Sequence, residues 1–302
     1  MFEVMVGAKR RRLRLAFLYG VSILLVVFIL FPFYWVFRSS LMGEEDLFSR
    51  PIVWLTRHPT LDNYRYVFTG EIPTSYQVKG LMRSRVSQET RYILGALKNS
   101  TVVAVSVTLV NLIFGTPAAY VFARMRFRGS LRVYQFILMS RLLPAVAIAI
   151  PYYLIIKWVG LLDTYLGLIL VYSAITLPFS VWYLTLYFRS VPASMEEAGL
   201  VDGCTRLQAL RFVLAPVAAP GITAAAAFAF MAVYNEFLFG LMLTQTIKSR
   251  TMPVLIAGIS TNPDVSYALL CVCITLAIIP PVILALLLRQ YITRGLLTTI
   301  SK

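Results

Sequence analysis

Two groups of residues carry chemistry out of keeping with their surroundings. The first lies between Ser194 and Gly221, where Glu196, Glu197 and Asp202 alternate with Arg206 and Arg211 between long apolar runs. The second is four polar side chains inside such runs: Asn111, Arg141, Asn235 and Glu236. Neither group suits covalent or metal catalysis. His58 is the only histidine, so a histidine-based metal site has almost no material. No Ser/His/Asp set and no GxxxxGK[ST] phosphate loop occurs, so an enzyme is the least favoured class. Cys204, Cys271 and Cys273 form no CxxC pair and read as small packing residues, not as a disulfide framework. What remains is charge-directed docking for the first group. For the second it is either the lining of a polar path or charge pairing within a bundle.

The first group needs local structure to present it. Pro192 stops the preceding helix. Ser194 followed by Glu197 fits a capping box, and paired acids suit the positive end of a helix. Asp202-Gly203 is a turn pair in which Gly203 tolerates positive φ. Thr205 to Gln208 forms a second capping box, after which Leu207, Leu210 and Leu214 fall on one stripe. Pro216 and Pro220 then lead into the next apolar run. The sequence thus writes a helix, a sharp bend and a second amphipathic helix. A surface helix resting on lipid headgroups is the plainer reading, but paired glutamates are repelled by an anionic leaflet. A protein groove is the better fit.

The framework that holds both groups is a membrane one. The 302 residues are 59% hydrophobic and 14% charged, with a mean hydropathy of +0.77. Six apolar runs have spanning length, at about 15–37, 99–123, 133–156, 165–188, 219–243 and 267–288. All read as helices, because backbone in lipid must satisfy its own hydrogen bonds. The fold class expected is all-α, polytopic, with about six transmembrane helices. The first run is longer than a signal-peptide core and ends in the interfacial cluster Phe31 to Trp35, so it reads as a retained helix. The formal net charge of +15 belongs to this architecture and not to nucleic-acid binding. Arginines and lysines collect in 1–14, after span two (Arg124, Arg126, Arg128, Arg132), after span four and in the tail 289–302. With an even number of spans these lie on one side, the cytoplasmic side, together with both termini and the loop 189–218. The opposite side carries one large segment, 38–98, read as a partly ordered loop or as a docking surface. Pro144, Pro151, Pro178, Pro280 and Pro281 are candidate joints within spans.

The stretch from Glu197 resembles the cytoplasmic EAA loop of ABC importer permeases. Glu197-Ala198-Gly199 opens the motif, Gly203 holds its glycine, and Val213, Leu214, Ala215 and Pro216 close it at the family spacing. Gly199 and Ala215 depart from the pattern, and Gly199 is expected to loosen the docking helix. The segments "PTLDNYRYVF", "NSTVVAVSVTLVNLIFGTPAAYVFARMRFRG", "LLPAVAIAIPYYLIIKWVGLLDTYLGLIL" and "YNEFLFGLMLT" are similar to the carbohydrate-importer branch, with maltose-permease-G-like subunits. About Gly70 to Leu97 is longer than usual for that branch.

The resemblance implies a type I importer permease fold on a prokaryotic inner membrane. The implied partners are a second homologous permease, two ATPase subunits that hold ATP and Mg, and an extracytoplasmic solute-binding protein. No cofactor is expected on this chain. The ATPase contact is expected at Glu196, Glu197, Ala198, Gly199, Asp202, Gly203 and Pro216, with Glu197 and Ala198 touching the partner and Gly203 supplying the bend. The tail Arg294 to Lys302 resembles a family tail that reaches between ATPase subunits; a frayed terminus is the alternative. A carbohydrate path is expected along Asn111, Arg141, Tyr172, Tyr234, Asn235 and Glu236, with Arg141–Glu236 pairing, inside the bundle or with the sister permease, as the competing role. The alternative function is a self-sufficient secondary transporter or channel, which would need coupling-ion groups in several spans and an internal repeat.

Overall fold

The computed structural model describes residues 2–56, 58–71, 88–261 and 265–300, with the side chains of 2–13, 45, 88 and 292–300 outside the description. The described chain is helical and contains no strand. In order the helices are α1 (Phe2–Ser40), α2 (Glu44–Leu47), α3 (Asp62–Thr69), α4 (Ile93–Arg124), α5 (Ser130–Met139), α6 (Ala145–Trp158), α7 (Tyr165–Ser190) and α8 (Ala193–Val201). They continue as α9 (Arg206–Gln208), a π turn (Ala209–Leu214), α10 (Ala215–Val217), α11 (Ala219–Tyr234), α12 (Leu238–Leu243), α13 (Met252–Ser260) and α14 (Tyr267–Ile300). Among the described residues four helices are long and apolar enough to cross a membrane, or up to six if two bent pairs each count as one span.

One compact unit comprises the chain up to Arg91 with the first turns of α14, as far as Leu276. The apolar part of α1 from Leu15 to Tyr34 is exposed throughout, as a helix facing lipid or another chain would be. Its end is pinned by polar ties. Asn63 of α3 donates to the carbonyls of Ser40 (2.9 Å) and Met42 (2.8 Å). Glu44 accepts from the Ser266 hydroxyl (2.7 Å) and from the amides of Tyr267 and Ala268 (3.1 and 3.2 Å), so a buried carboxylate caps α14. The expected interfacial cluster forms, with Trp54 joining Phe31 and Trp35. Much of the unusually long segment near 70–97 lies outside the described residues.

The second unit runs from Tyr92 to Thr261 and takes in α14 from Ala277 onward. Its core is α4 against α7 and α11. Asn99, Val103, Val107, Asn111, Gly115 and Ala119 recur every four residues on the buried face of α4. One apolar cluster joins Val107, Leu168, Val171, Phe230 and Phe239; another joins Ala119, Leu184, Phe188, Leu210 and Leu214 beneath the 189–218 loop.

Two spans expected to be continuous are broken. α5 and its 3-10 extension (Ser140–Leu142) meet α6 at 98°. Leu143 is extended there, as the residue before a proline prefers, and Pro144 has no N–H to continue the helix. The fifth run stops at Tyr234 and restarts as α12. No proline marks that break; the Glu236 carboxylate makes it by accepting from the amides of Phe239 and Gly240 at 3.1 Å.

Candidate functional site

The loop after α7 folds as a bent pair of short helices. Val191 and Pro192 are extended, and α8 starts at Ala193. This corrects the capping box expected at Ser194: Pro192 occupies the cap position and no side chain caps α8, so Ser194 falls inside the first turn. The Asp202-Gly203 bend forms as expected, with Gly203 at φ +90. The Thr205 box also forms, with Thr205 N–H donating to Gln208 Oε1 (2.8 Å) and Gln208 N–H to Thr205 Oγ1 (3.4 Å). The single leucine stripe does not. A π turn over Ala209–Leu214 shifts the register, burying Leu210 and Leu214 but leaving Leu207 69% exposed. The chain from Arg206 to Val217 then turns 84° into α11, because Pro220 lacks the N–H that would bond the Pro216 carbonyl.

The loop has an inner and an outer face. Glu197, Ala198, Asp202, Gly203 and Pro216 are exposed, and Val201 beside them is 86% exposed. Glu196 and Gly199, also expected at the contact, point into the chain. The Tyr120 hydroxyl donates to Glu196 at 2.6 Å. The other Glu196 oxygen lies 3.1 Å from Arg124 Nε, with both side chains almost fully buried; the half-exposed Arg206 stands 3.6 Å from the oxygen that accepts from Tyr120. Arg124 also donates to the Val191 carbonyl (2.7 Å), and Arg189 to that of Phe122 (3.1 Å). The loop is therefore riveted to the end of α4. Gly199 lies against the π turn, where an added Cβ would come 2.9 Å from Val213 Cγ2. The glycine that departs from the EAA pattern is thus the one that lets Val213 in.

The intramembrane candidates divide similarly. Arg141, Tyr172 and Glu236 line one cavity of about 280 Å³ with Thr176, Phe179 and Phe228. Arg141 lies 4.9 Å over the Phe179 ring. The Tyr172 hydroxyl is buried beside Glu236 and completes no hydrogen bond. No Arg141–Glu236 ion pair forms among the described residues; Glu236 is engaged by backbone amides instead. Asn111 sits behind the cavity wall, donating to Thr176 at 2.7 Å, with its own carbonyl oxygen buried and unpartnered. Tyr234 stacks on Phe230 and donates to the Ala277 carbonyl (2.9 Å). Asn235 turns back to the Met231 carbonyl (2.9 Å). Neither of these two lines the cavity.

Sequence reasoning passed over Tyr120 and Arg124, the latter counted only toward membrane orientation. It also passed over Thr176 and Phe179, although with Tyr172 they fall at i, i+4 and i+7 on α7.

A family model described as binding-protein-dependent transport system inner membrane component matches residues 111–298. The chain is 31% identical over 276 residues to the trehalose/maltose transport system permease protein MalG of Thermococcus litoralis, covering 91% of this chain and 92% of that one. It is 32% identical over 278 residues to the trehalose transport system permease protein SugB of Mycobacterium tuberculosis, covering 90% and 92%. Its fold superposes with a TM-score of 0.68, at 22% identity and with 91% and 96% coverage, on a chain from a crystal structure of a bacterial ABC transporter involved in the import of the acidic polysaccharide alginate. A chain helical throughout its described residues, with a cavity lined by Arg141, α7, α11 and Glu236 and a bent loop riveted to the end of α4, and matched over more than half its length, belongs to the binding-protein-dependent transport system inner membrane components, the permease subunits of ABC importers.

Proposed function

We propose that this permease subunit carries a carbohydrate (a sugar, oligosaccharide or sugar-derived polyol) along the cavity between α7 and α11. A second, homologous permease completes the path. Two separate ATPase subunits supply the energy from ATP and Mg, and an extracytoplasmic binding protein delivers the solute. The cavity carries this reading. The Phe179 and Phe228 faces suit the C–H side of a sugar ring, while Tyr172, Thr176, Glu236 and Arg141 offer hydrogen bonds to hydroxyls. The relatives named for trehalose and maltose transport agree with that chemistry.

In this reading the exposed tip of the 189–218 loop, from Glu197 to Gly203, seats in the ATPase. Glu196, tied to Tyr120 and Arg124, passes its motion into α4. Both termini and this loop face the cytoplasm, following the arginine distribution. The expected ATPase contact of the tail falls on side chains outside the described residues.

The test is purification of the tagged chain in mild detergent, identification of the co-purifying subunits, and ATPase assay with candidate sugars and the binding protein. Stimulation by a sugar whose ranking shifts in Glu236→Gln supports the path. Co-purification of no ATPase, or loss of assembly in Glu236→Gln, counts against it.

A further inference from the structure

A second cavity, of about 480 Å³, lies where α4 and α7 end and α5 and α8 begin. It is separate from the solute cavity and shares no residue with it. Arg124, Arg126 and Arg189 line it, and no carboxylate does. Arg124 is matched by Glu196. Arg189 gives an N–H to the Phe122 carbonyl and lies 5.7 Å over the Tyr134 ring. Arg126 is exposed and has no acidic partner among the described residues. Two positive charges are therefore uncompensated in one polar recess.

Helix ends of both signs meet at the recess. α5 and α8 both begin at the cavity, through Ser130 and Ala193. Neither has a side-chain cap, and Gly129 enters α5 at φ +87. Because α4 and α7 end where α5 and α8 begin, the opposed helix ends offset one another, and the net positive charge of the recess comes from its arginine side chains. Tyr134 lines it as well, with its hydroxyl buried near Thr185. Guanidinium groups without a carboxylate partner, gathered in one polar recess, make an anion site.

The surroundings say which anion. Leu131, Phe136 and Met139 of α5 are 64%, 75% and 61% exposed, a sheath of apolar side chains leading away from the cavity. A free phosphate has no use for them, whereas a lipid has acyl chains to lay there. We propose that the cavity binds the phosphate of an anionic membrane phospholipid, whose acyl chains lie along the exposed apolar side chains of α5. Basic recesses among membrane helices suit such headgroups.

Native mass spectrometry of the full chain, offered phosphatidylglycerol and phosphatidylcholine in equal amounts, tests this. Phosphatidylglycerol is expected to be retained preferentially. Arg126→Ala should cut its retention about fivefold, and Arg126→Lys should keep most of it. Arg128→Ala removes the same charge from the same loop but not from the cavity, and should leave retention within about twofold. Arg126 makes no hydrogen bond or ion pair among the described residues, and the melting temperature of the variant checks its folding. Equal retention of the two lipids, or equal loss in Arg126→Ala and Arg128→Ala, would overturn the proposal. Displacement of phosphatidylglycerol by millimolar inorganic phosphate would also overturn it, because it marks a site for a soluble anion.

Discussion

Replacing Glu196 with alanine should do more damage than any other single change in the 189–218 loop. The residue precedes the motif glutamate, and a docking role would leave it on the surface. Instead its side chain is 6% exposed, against 10% for Arg124. Alanine leaves the Arg124 guanidinium buried with the Val191 carbonyl as its one remaining partner among the described residues. Breaking a buried pair from one side costs about 3–5 kcal/mol. The lower end applies here, because Arg124 borders a polar cavity that water can enter.

Tyr120→Phe removes only the 2.6 Å charge-assisted hydrogen bond, which is worth about 1.5–3 kcal/mol. Arg206→Ala touches a side chain that is 57% exposed at 3.6 Å, so about 0–1 kcal/mol is expected. Glu196→Gln should fall between the alanine and arginine variants, since an amide oxygen still accepts from Tyr120. Apparent stability of the purified chain in detergent, with hydrogen exchange of α8, gives the order. A double-mutant cycle with Arg124→Ala should show coupling of at least about 2 kcal/mol. If Glu196→Ala is no worse than Arg206→Ala, or the cycle is additive, the loop is not riveted through this pair.

Other outcomes follow from single contacts. Gly199→Ala should destabilise the loop by about 1 kcal/mol through the 2.9 Å approach to Val213, and a second change, Val213→Ala, should restore it; thermal melting of both variants checks this. Gly203→Ala strains a φ of +90 and should cost about 1 kcal/mol, with no rescue by Val213→Ala. Asp163 lies between α6 and α7; burial raises its pKa, but hydrogen bonds from Ser249, Thr246 and the Gln245 amide outweigh burial and hold it below 3.8. Its stabilisation is therefore present above about pH 3.8 and lost as pH falls through the lower folded-state value. Asp163→Asn should melt lower at neutral pH and show a flatter acid limb in melting temperature against pH.

The architecture could be read from the sequence where apolar length and basic residues decide it. The Asp202-Gly203 bend and the Thr205 box were legible because each is written in adjacent residues. The α5–α6 break was legible in part, since Pro144 marked a joint but not its 98° angle. The break after Tyr234 was not, because a carboxylate capping two amides leaves no proline or glycine signal. Leu207 left its stripe because a π turn breaks the 3.6-residue period that the stripe assumes. Glu196 was misplaced for a related reason. Two adjacent glutamates look alike in sequence, yet on a helix they point about 100° apart, and only the tertiary neighbours Tyr120 and Arg124 determine which one is buried.

The exposed tip as the point where force enters is tested most directly by Glu197→Lys. The full chain, with its expected permease, ATPase and binding-protein partners, would be reconstituted in vesicles, and solute uptake and ATP hydrolysis would be measured together. The account expects an assembled complex in which uptake is lost and hydrolysis no longer answers to the loaded binding protein. Normal uptake by the variant, or accumulation of solute by the wild-type chain reconstituted without any ATPase, would contradict it.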